Sequence, residues 1–344
     1  MSRLSRRIPP LLVVLAILLA ACGGDGGGAE ATTLRLGYFP NVTHAPAIVG
    51  DRQGFFADAL GDDVTLELYY FNAGPDVIQT MFAGGLDASF IGPNPAINGY
   101  AQSNGEAIRI IAGSTSGGAF LVVRPDIQSP EDLAGTTIAT PQLGNTQDVA
   151  LRAWLAEQGL TSDTAGGGDV SIRPQSNGDT LRAFQAGTID GAWVPEPWAT
   201  RLILEGGGVV LVDERALWPD GLYVTTHLIV RTEFLEENPA LVERLLEGYL
   251  EALRFVNESP DEAQAITNDG IEAITGARLS DETIAGAWQN LTFTWDPIAS
   301  SLQGSADDAV AAQLLEPVDL SGIYDLAILN RLLDEAGEDP VEGL

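Results

Sequence analysis

The residues of this chain that could do chemistry stand in short polar clusters, each directly after an apolar run of strand character. They are Phe39-Pro40-Asn41-Val42-Thr43-His44-Ala45-Pro46, Gly92-Pro93-Asn94-Pro95, Gly113-Ser114-Thr115-Ser116-Gly117-Gly118, Pro141-Gln142-Leu143-Gly144-Asn145-Thr146-Gln147-Asp148 and Trp193-Val194-Pro195-Glu196-Pro197-Trp198. Hydroxyls, amides, one imidazole and helix starts are groups that bind more readily than they catalyse. A helix start leaves backbone N–H groups unpaired and carries partial positive charge, which suits a carboxylate, sulfonate or phosphate. Such a site needs no lysine, and the chain has none: all 17 basic residues are Arg. Asn145 and Thr146 are placed to cap a helix and to hydrogen-bond a ligand together, with capping alone as the competing reading. Asp148, in the first turn, complements the dipole. Trp193 is expected as an aromatic wall beside Glu196, with Trp198 in the core of the helix that follows. Glu196 is left between ligand contact and a salt bridge to Arg201.

Other chemistries fit poorly. The Gly-Ser-Thr-Ser-Gly-Gly stretch lacks the Lys of a P-loop and the spacing of a dinucleotide fingerprint. His44 and His227 are the only histidines, and their spacing gives no metal site. His44 reads as a cleft residue and His227 as a packed strand residue. No Ser stands in a nucleophile elbow, and Schiff-base chemistry has no Lys to use. No cofactor, metal or catalytic residue is expected; an enzyme would have to work with carboxylates alone.

Cys22, the one cysteine, follows Arg3, Arg6 and Arg7, an apolar stretch from Ile8 to Leu19, and Ala20-Ala21. That is the order of a secretory signal, too short and wrongly flanked for a lasting membrane span. Leu19-Ala20-Ala21-Cys22 resembles the bacterial lipobox, so residues 1–21 are expected to be removed and Cys22 lipidated. Two or more acyl chains anchor stably where one does not. The placement expected is extracytoplasmic, at the bacterial cell membrane. Loss of residues 1–21 removes three basic residues and no acidic one, giving 14 − 48 = −34 from a whole-chain charge of −31. Nucleic acid is excluded as a partner, because neutralising phosphates takes clustered Lys and Arg.

The elements that must position these clusters follow from periodicity. With 45% hydrophobic residues the chain can bury a sizeable core. Short runs rich in Val, Ile, Tyr and Phe alternate with helical segments, which predicts an α/β protein with mostly parallel sheets. Strands are expected at 34–38, 65–71, 88–91, 109–112, 120–123, 137–139, 170–173, 191–194, 209–212 and 223–231. From Pro239 the pattern is helical alone, with helices at 241–257, 260–274, 281–290, 305–315 and 321–335. Two lobes joined by crossovers near 122–124 and 222–226 are the economical arrangement. This gives a tether at 22–32, lobe 1 from 33–122 and 225–335, and lobe 2 at 123–224. In open α/β sheets ligands bind beyond the carboxyl ends of strands, where the polar clusters stand.

As an ordered set, Gly37-Tyr38-Phe39-Pro40 with Ala45-Pro46, Gly54-Phe55-Phe56, Gly85-Leu86-Asp87 before Gly92-Pro93, Asp132 to Ala139 before Gly144-Asn145-Thr146, and Gly187 to Trp193 resemble the solute-binding proteins of nitrate, sulfonate and taurine ABC importers. The likeness runs from about Leu34 to Arg254 and is greatest to the aliphatic-sulfonate branch, through Asn145-Thr146-Gln147-Asp148 and Trp193 to Trp198. It implies a two-lobed type II periplasmic binding protein fold with hinge crossovers and a C-terminal helical segment. It further implies a monomer that delivers a small organic anion, such as an alkanesulfonate or taurine, to a permease with an ATPase behind it. By the same resemblance the cleft is lined by Asn41 to His44, Gly92, Pro93 and Asn94, Ser114, Thr115 and Ser116, Gly144 to Gln147, Trp193 to Glu196, and Thr225 and Thr226. A neutral or cationic heterocycle, such as a vitamin or pyrimidine precursor, is the alternative ligand, and a carboxylate-dependent lipoprotein enzyme the alternative of another class.

Overall fold

The computed structural model describes Thr32–Leu344, so Cys22 and the expected signal segment lie outside the described residues. Eleven strands are present among them: β1 Thr32–Tyr38, β2 Val64–Tyr70, β3 Ala88–Ile91, β4 Ile108–Gly117, β5 Ala119–Val123, β6 Thr137–Thr140, β7 Ser171–Pro174, β8 Gly191–Pro195, β9 Val209–Asp213, β10 Val224–Arg231 and β11 Leu291–Phe293. Thr32 already pairs with Val64, so the first strand takes the last residue assigned to the tether. The helices are α1 Ala45–Arg52, α2 Phe55–Leu60, α3 Gly74–Phe82, α4 Pro93–Gln102, α5 Thr146–Glu157, α6 Asn177–Gln185, α7 Trp198–Leu204, α8 Thr232–Glu237, α9 Pro239–Glu258, α10 Pro260–Thr275, α11 Asp281–Trp288, α12 Ala299–Ala311 and α13 Ala327–Ala336.

The strands form two sheets, in the orders β11-β4-β10-β3-β1-β2 and β7-β6-β8-β5-β9. The expectation of mostly parallel sheets is corrected. Parallel pairing is confined to β1 with β2 and β3, and β6 with β7 and β8. The strands that follow each passage between sheets, β5 and β10, run antiparallel to both neighbours.

The first passage is at Gly117–Gly118, earlier than the expected 122–124. Both glycines have positive φ, 80° and 74°, which an L side chain rarely adopts. The chain can therefore leave β4 and start β5 one residue later in the other sheet. The second passage runs through Glu214 to Tyr223, between β9 and β10.

Each sheet is covered on both faces. On the first, one face packs under α1, α2 and α9, and the other under α3, α4 and α12. Helix α9 shows why: Val242, Leu245, Leu246, Tyr249, Leu250, Leu253 and Val256 recur at helical spacing and are buried. On the second sheet Leu151, Trp154 and Leu155 of α5 cover one face, and Leu181, Phe184 and Leu202 of α6 and α7 the other.

The strand expected at 109–112 runs on to Gly117. Ser114-Thr115-Ser116 are thus strand residues, held where Thr115 faces Thr226 and Ser116 faces Val224 and Thr292. The helix expected at 305–315 begins at Ala299 instead, and β11 is an addition.

Candidate functional site

Two helix starts meet between the sheets. Helix α4 opens after Gly92 at the end of β3, with prolines at 93 and 95 that carry no N–H. Helix α5 opens at Thr146 beyond β6. A methyl group at Gly92 would stand 2.6 Å from Thr146 Oγ1, so a side chain there would have to displace that hydroxyl. Asn145 Oδ1 accepts from Thr146 N at 2.8 Å, and Asn145 O accepts from Asp148 and Val149. Thr146 Oγ1 is buried and has no hydrogen-bond partner.

Beneath this helix start the charges are closed off. Asp148 accepts from Gly144 N at 3.0 Å and Thr140 Oγ1 at 2.9 Å, and pairs with Arg152 at 3.0 Å with both side chains almost wholly buried. The carboxylate therefore does not oppose an anion above the helix. The partial charge of the α5 N-terminus remains available.

The other expected residues divide into those that build the site and those with capacity left. Thr115 and Thr226 both donate to the carbonyl of Thr43, at 2.7 and 3.2 Å, and pin the turn Val42–His44 that precedes α1. Thr225 donates to Gly117 O at 2.5 Å, beside the first passage between sheets. Asn94 gives its side-chain amide to Ser305 O at 2.9 Å, so it ties α4 to α12. Ser116 and Gln147 are buried among them. Ser114 Oγ is buried beside the hydroxyl of Tyr249.

His44 stacks on Phe39 with ring centroids 4.4 Å apart, and its Nδ1 faces Phe39 N at 3.4 Å. Burial pushes its pKa down to about 3, so the imidazole is neutral and contributes shape and hydrogen bonding. His227 is buried in β10, with Nε2 on Pro297 O at 3.1 Å, and is pushed down to about 4.

Trp193 does not take the role expected of it, whereas Trp198 packs, partly buried, against the core of the second sheet as expected. Side chains alternate along β8, which turns Trp193 toward α5. It is fully buried, its ring 6.0 Å from that of Trp154, and its Nε1 donates to Glu214 Oε2 at 2.7 Å. It is a core residue and no wall. Trp198, one turn beyond, donates its Nε1 to Asn41 Oδ1 at 3.0 Å and so joins the second sheet's α7 to the loop after β1. Glu196 pairs with neither ligand-facing groups nor Arg201. It accepts from Thr200 N and Oγ1 at 3.0 and 2.8 Å and from Asn290 Nδ2 at 2.7 Å. Burial raises its pKa, those donors working against the rise. Arg201 instead pairs with Glu205 and lies over the Trp198 ring, 4.7 Å from its centre.

Sequence reasoning passed over the segment after β7. Asn177, at the start of α6, is buried and its Oδ1 has no partner. Its signal was available: Gln175-Ser176-Asn177 follow a parallel strand of the same sheet, as Asn145-Thr146 do. Among the described residues no group of three His, Cys, Asp or Glu side chains could hold a metal ion. Among them no helix is long and apolar enough to cross a membrane.

Comparison with known proteins places the chain. The profile described as the NMT1-like family matches residues 27–268. The taurine-binding periplasmic protein of Escherichia coli strain K12 is 27% identical over 237 residues, covering 68% of this chain and 69% of that protein. Among solved structures, the alkanesulfonate-binding protein SsuA of Xanthomonas axonopodis pv. citri, bound to MOPS, superposes with a TM-score of 0.71 at 19% identity, over 87% of this chain and all of that one. The periplasmic nitrate-binding protein NrtA of Synechocystis PCC 6803 does so at 0.70 and 16%, over 89% of each chain.

Proposed function

The chain belongs to the NMT1-like family and has the periplasmic binding protein fold of the sulfonate- and nitrate-binding structures, and from that premise we propose that it is the solute-binding protein of an ABC importer for a small anion, an aliphatic sulfonate such as an alkanesulfonate or taurine. One observation carries the reading. Thr146 Oγ1, buried and unpartnered, stands where the starts of α4 and α5 face each other. A buried hydroxyl without a partner costs roughly 1–3 kcal/mol, which an acceptor oxygen on a ligand would remove. Two helix starts add electrostatic attraction for that oxygen.

The ligand lies between two lobes, one on each sheet, that close by rotation about the passages at Gly117–Gly118 and between β9 and β10. A permease, with its ATPase behind it, receives the solute. Cys22 carries the lipid that holds the protein beside that permease, outside the cytoplasmic membrane, as a monomer. Catalysis forms no part of the reading: Glu196 and Asp148 are both occupied by internal donors.

Thermal unfolding with a panel of ethanesulfonate, taurine, nitrate, bicarbonate and a thiamine precursor tests the proposal. A ligand that binds only the native state stabilises it by about 2.7 kcal/mol at a hundredfold excess over Kd. A shift with a sulfonate is the expected result. Silence of folded, ligand-stripped protein across the panel contradicts it, and a shift with the thiamine precursor alone moves the assignment to a heterocycle.

A further inference from the structure

Beside the second passage between sheets lies a cavity of about 320 Å³ that the site above does not use. Ala150, Ala153, Trp154 and Glu157 reach it from α5, at the spacing of one helix face. Glu214 and Trp218 reach it from the passage itself, and Gly304 and Asp308 from α12. Trp218 packs so closely on α12 that a methyl group at Gly304 would stand 2.7 Å from its ring. Helix α5 covers the second sheet, whereas Leu302 and Ala306 of α12 are buried against the first. The cavity is therefore a seam between the two halves, and its titratable groups come from both.

Those groups are acidic. Glu157 faces Asp308 across the seam, with Asp307 beside it on α12 and Glu214 buried behind. Asp213 borders Glu214, and the basic group of this passage, Arg215, is held by Asp213 through contacts of 2.6 to 3.0 Å. We propose that this carboxylate seam makes closing of the two halves depend on pH, with protonation of Asp308, held on α12 against the Glu157 carboxylate of α5, favouring the closed arrangement.

The sign follows from which state holds more protons. Burial, then Glu157 and Asp307, push Asp308 up to about 6 in the arrangement seen here, with α5 and Trp218 lining one cavity with α12, and burial pushes Glu214 up to about 7. Opening the seam returns water to Asp308, takes it away from the exposed Glu157 carboxylate and lets it fall toward its ordinary value. The closed form thus binds more protons, and its share rises as pH falls from about 8 toward 5.5. The inference rests on the binding-protein reading only in taking closure as the working motion.

Small-angle scattering of the ligand-free protein at about pH 8 and pH 5.5 tests it without any ligand. The radius of gyration is expected to fall at the lower pH, and Asp308→Asn is expected to be compact at both. Should that variant fail to fold, Glu157→Gln, at an exposed position, serves in its place and is expected to shrink the difference. A wild-type radius that ignores pH, or a variant that keeps the full wild-type difference, overturns the proposal. Any solute found to bind should do so up to about fourfold more tightly at the lower pH, and the variant should lose that gain. A scattering response with a silent sulfonate panel supports the seam and counts only against the sulfonate.

Discussion

The indole of Trp198 and the side-chain amide of Asn41 are joined by a hydrogen bond of 3.0 Å, one partner on the second sheet's α7 and the other on the loop after β1. It is a bond between the two halves, made over residues expected to surround the ligand. Glu196 and Asn290 make a second such link at 2.7 Å on the α11 side. Trp198→Phe keeps the ring under Arg201 and removes only the donor. An ordinary hydrogen bond is worth about 0.5–1.5 kcal/mol, so the variant should bind its solute about three- to tenfold more weakly by calorimetric titration. Unchanged affinity would show that the bond does not contribute to closure.

Trp193 behaves differently, because its ring is filled around by Trp154 and its Nε1 serves a buried carboxylate. Trp193→Ala should lower stability by about 3–5 kcal/mol in urea titrations, by cavity formation alone, and take from Glu214 one of the two indoles beside its carboxyl, leaving Trp218. Solute affinity of the protein that remains folded should change little. A large loss of affinity with intact stability would return Trp193 to the binding site.

The burial of Trp193, expected at the ligand, shows where sequence reading stops. The strands were legible because short apolar runs end at glycines, prolines and polar clusters. In a strand buried on both faces, as β8 is, the alternation of side chains carries no polar face to tell inside from cleft. Strand β4 was cut short at Ala112 because Gly113 to Gly118 reads as a turn; pairing with the distant β10 and β11 keeps it extended to Gly117. The three residues of β11 and the Ala-Ser-Ser start of α12 are set by tertiary contacts and leave no periodic signal. That Gly92 and Thr146 meet was readable from their positions just beyond strands. Which hydroxyls stay free was not, since Thr115, Thr225 and Thr226 differ from Thr146 only in the carbonyls they meet.

Glu214 gives the protein a pH-dependent stability of defined sign. Its carboxyl is raised from an ordinary value of 4.5 to about 7 in the folded chain, by burial that outweighs the Trp193 and Trp218 indoles. A raised carboxyl stabilises most when protonated in both states, below about pH 4.5. That contribution is lost as pH rises through about 7, at up to about 1.4 kcal/mol per unit. Glu214→Gln keeps an oxygen for Trp193 and does not ionise. Denaturant midpoints should therefore favour the variant at pH 8 and converge with wild type near pH 4.5. Parallel pH curves for the two proteins would contradict this.

Cys22 lies outside the described residues, and its role is tested in cells or membranes. Lipidation predicts that the full chain partitions into detergent with the membrane fraction, and that Cys22→Ala is left uncleaved or released. Equal partitioning of the two would remove the anchor from the account.

The most direct test of the central claim is calorimetric titration of ligand-stripped wild type, Thr146→Val and Ser114→Ala with taurine and ethanesulfonate. Thr146→Val preserves shape and removes the unpartnered hydroxyl at the meeting of α4 and α5. Wild type should bind at least one sulfonate, and Thr146→Val should bind it roughly tenfold or more weakly, since a hydrogen bond to a charged group is worth about 1.5–3 kcal/mol. Binding by Thr146→Val as tight as wild type, or no sulfonate binding by a folded wild type, would contradict the claim.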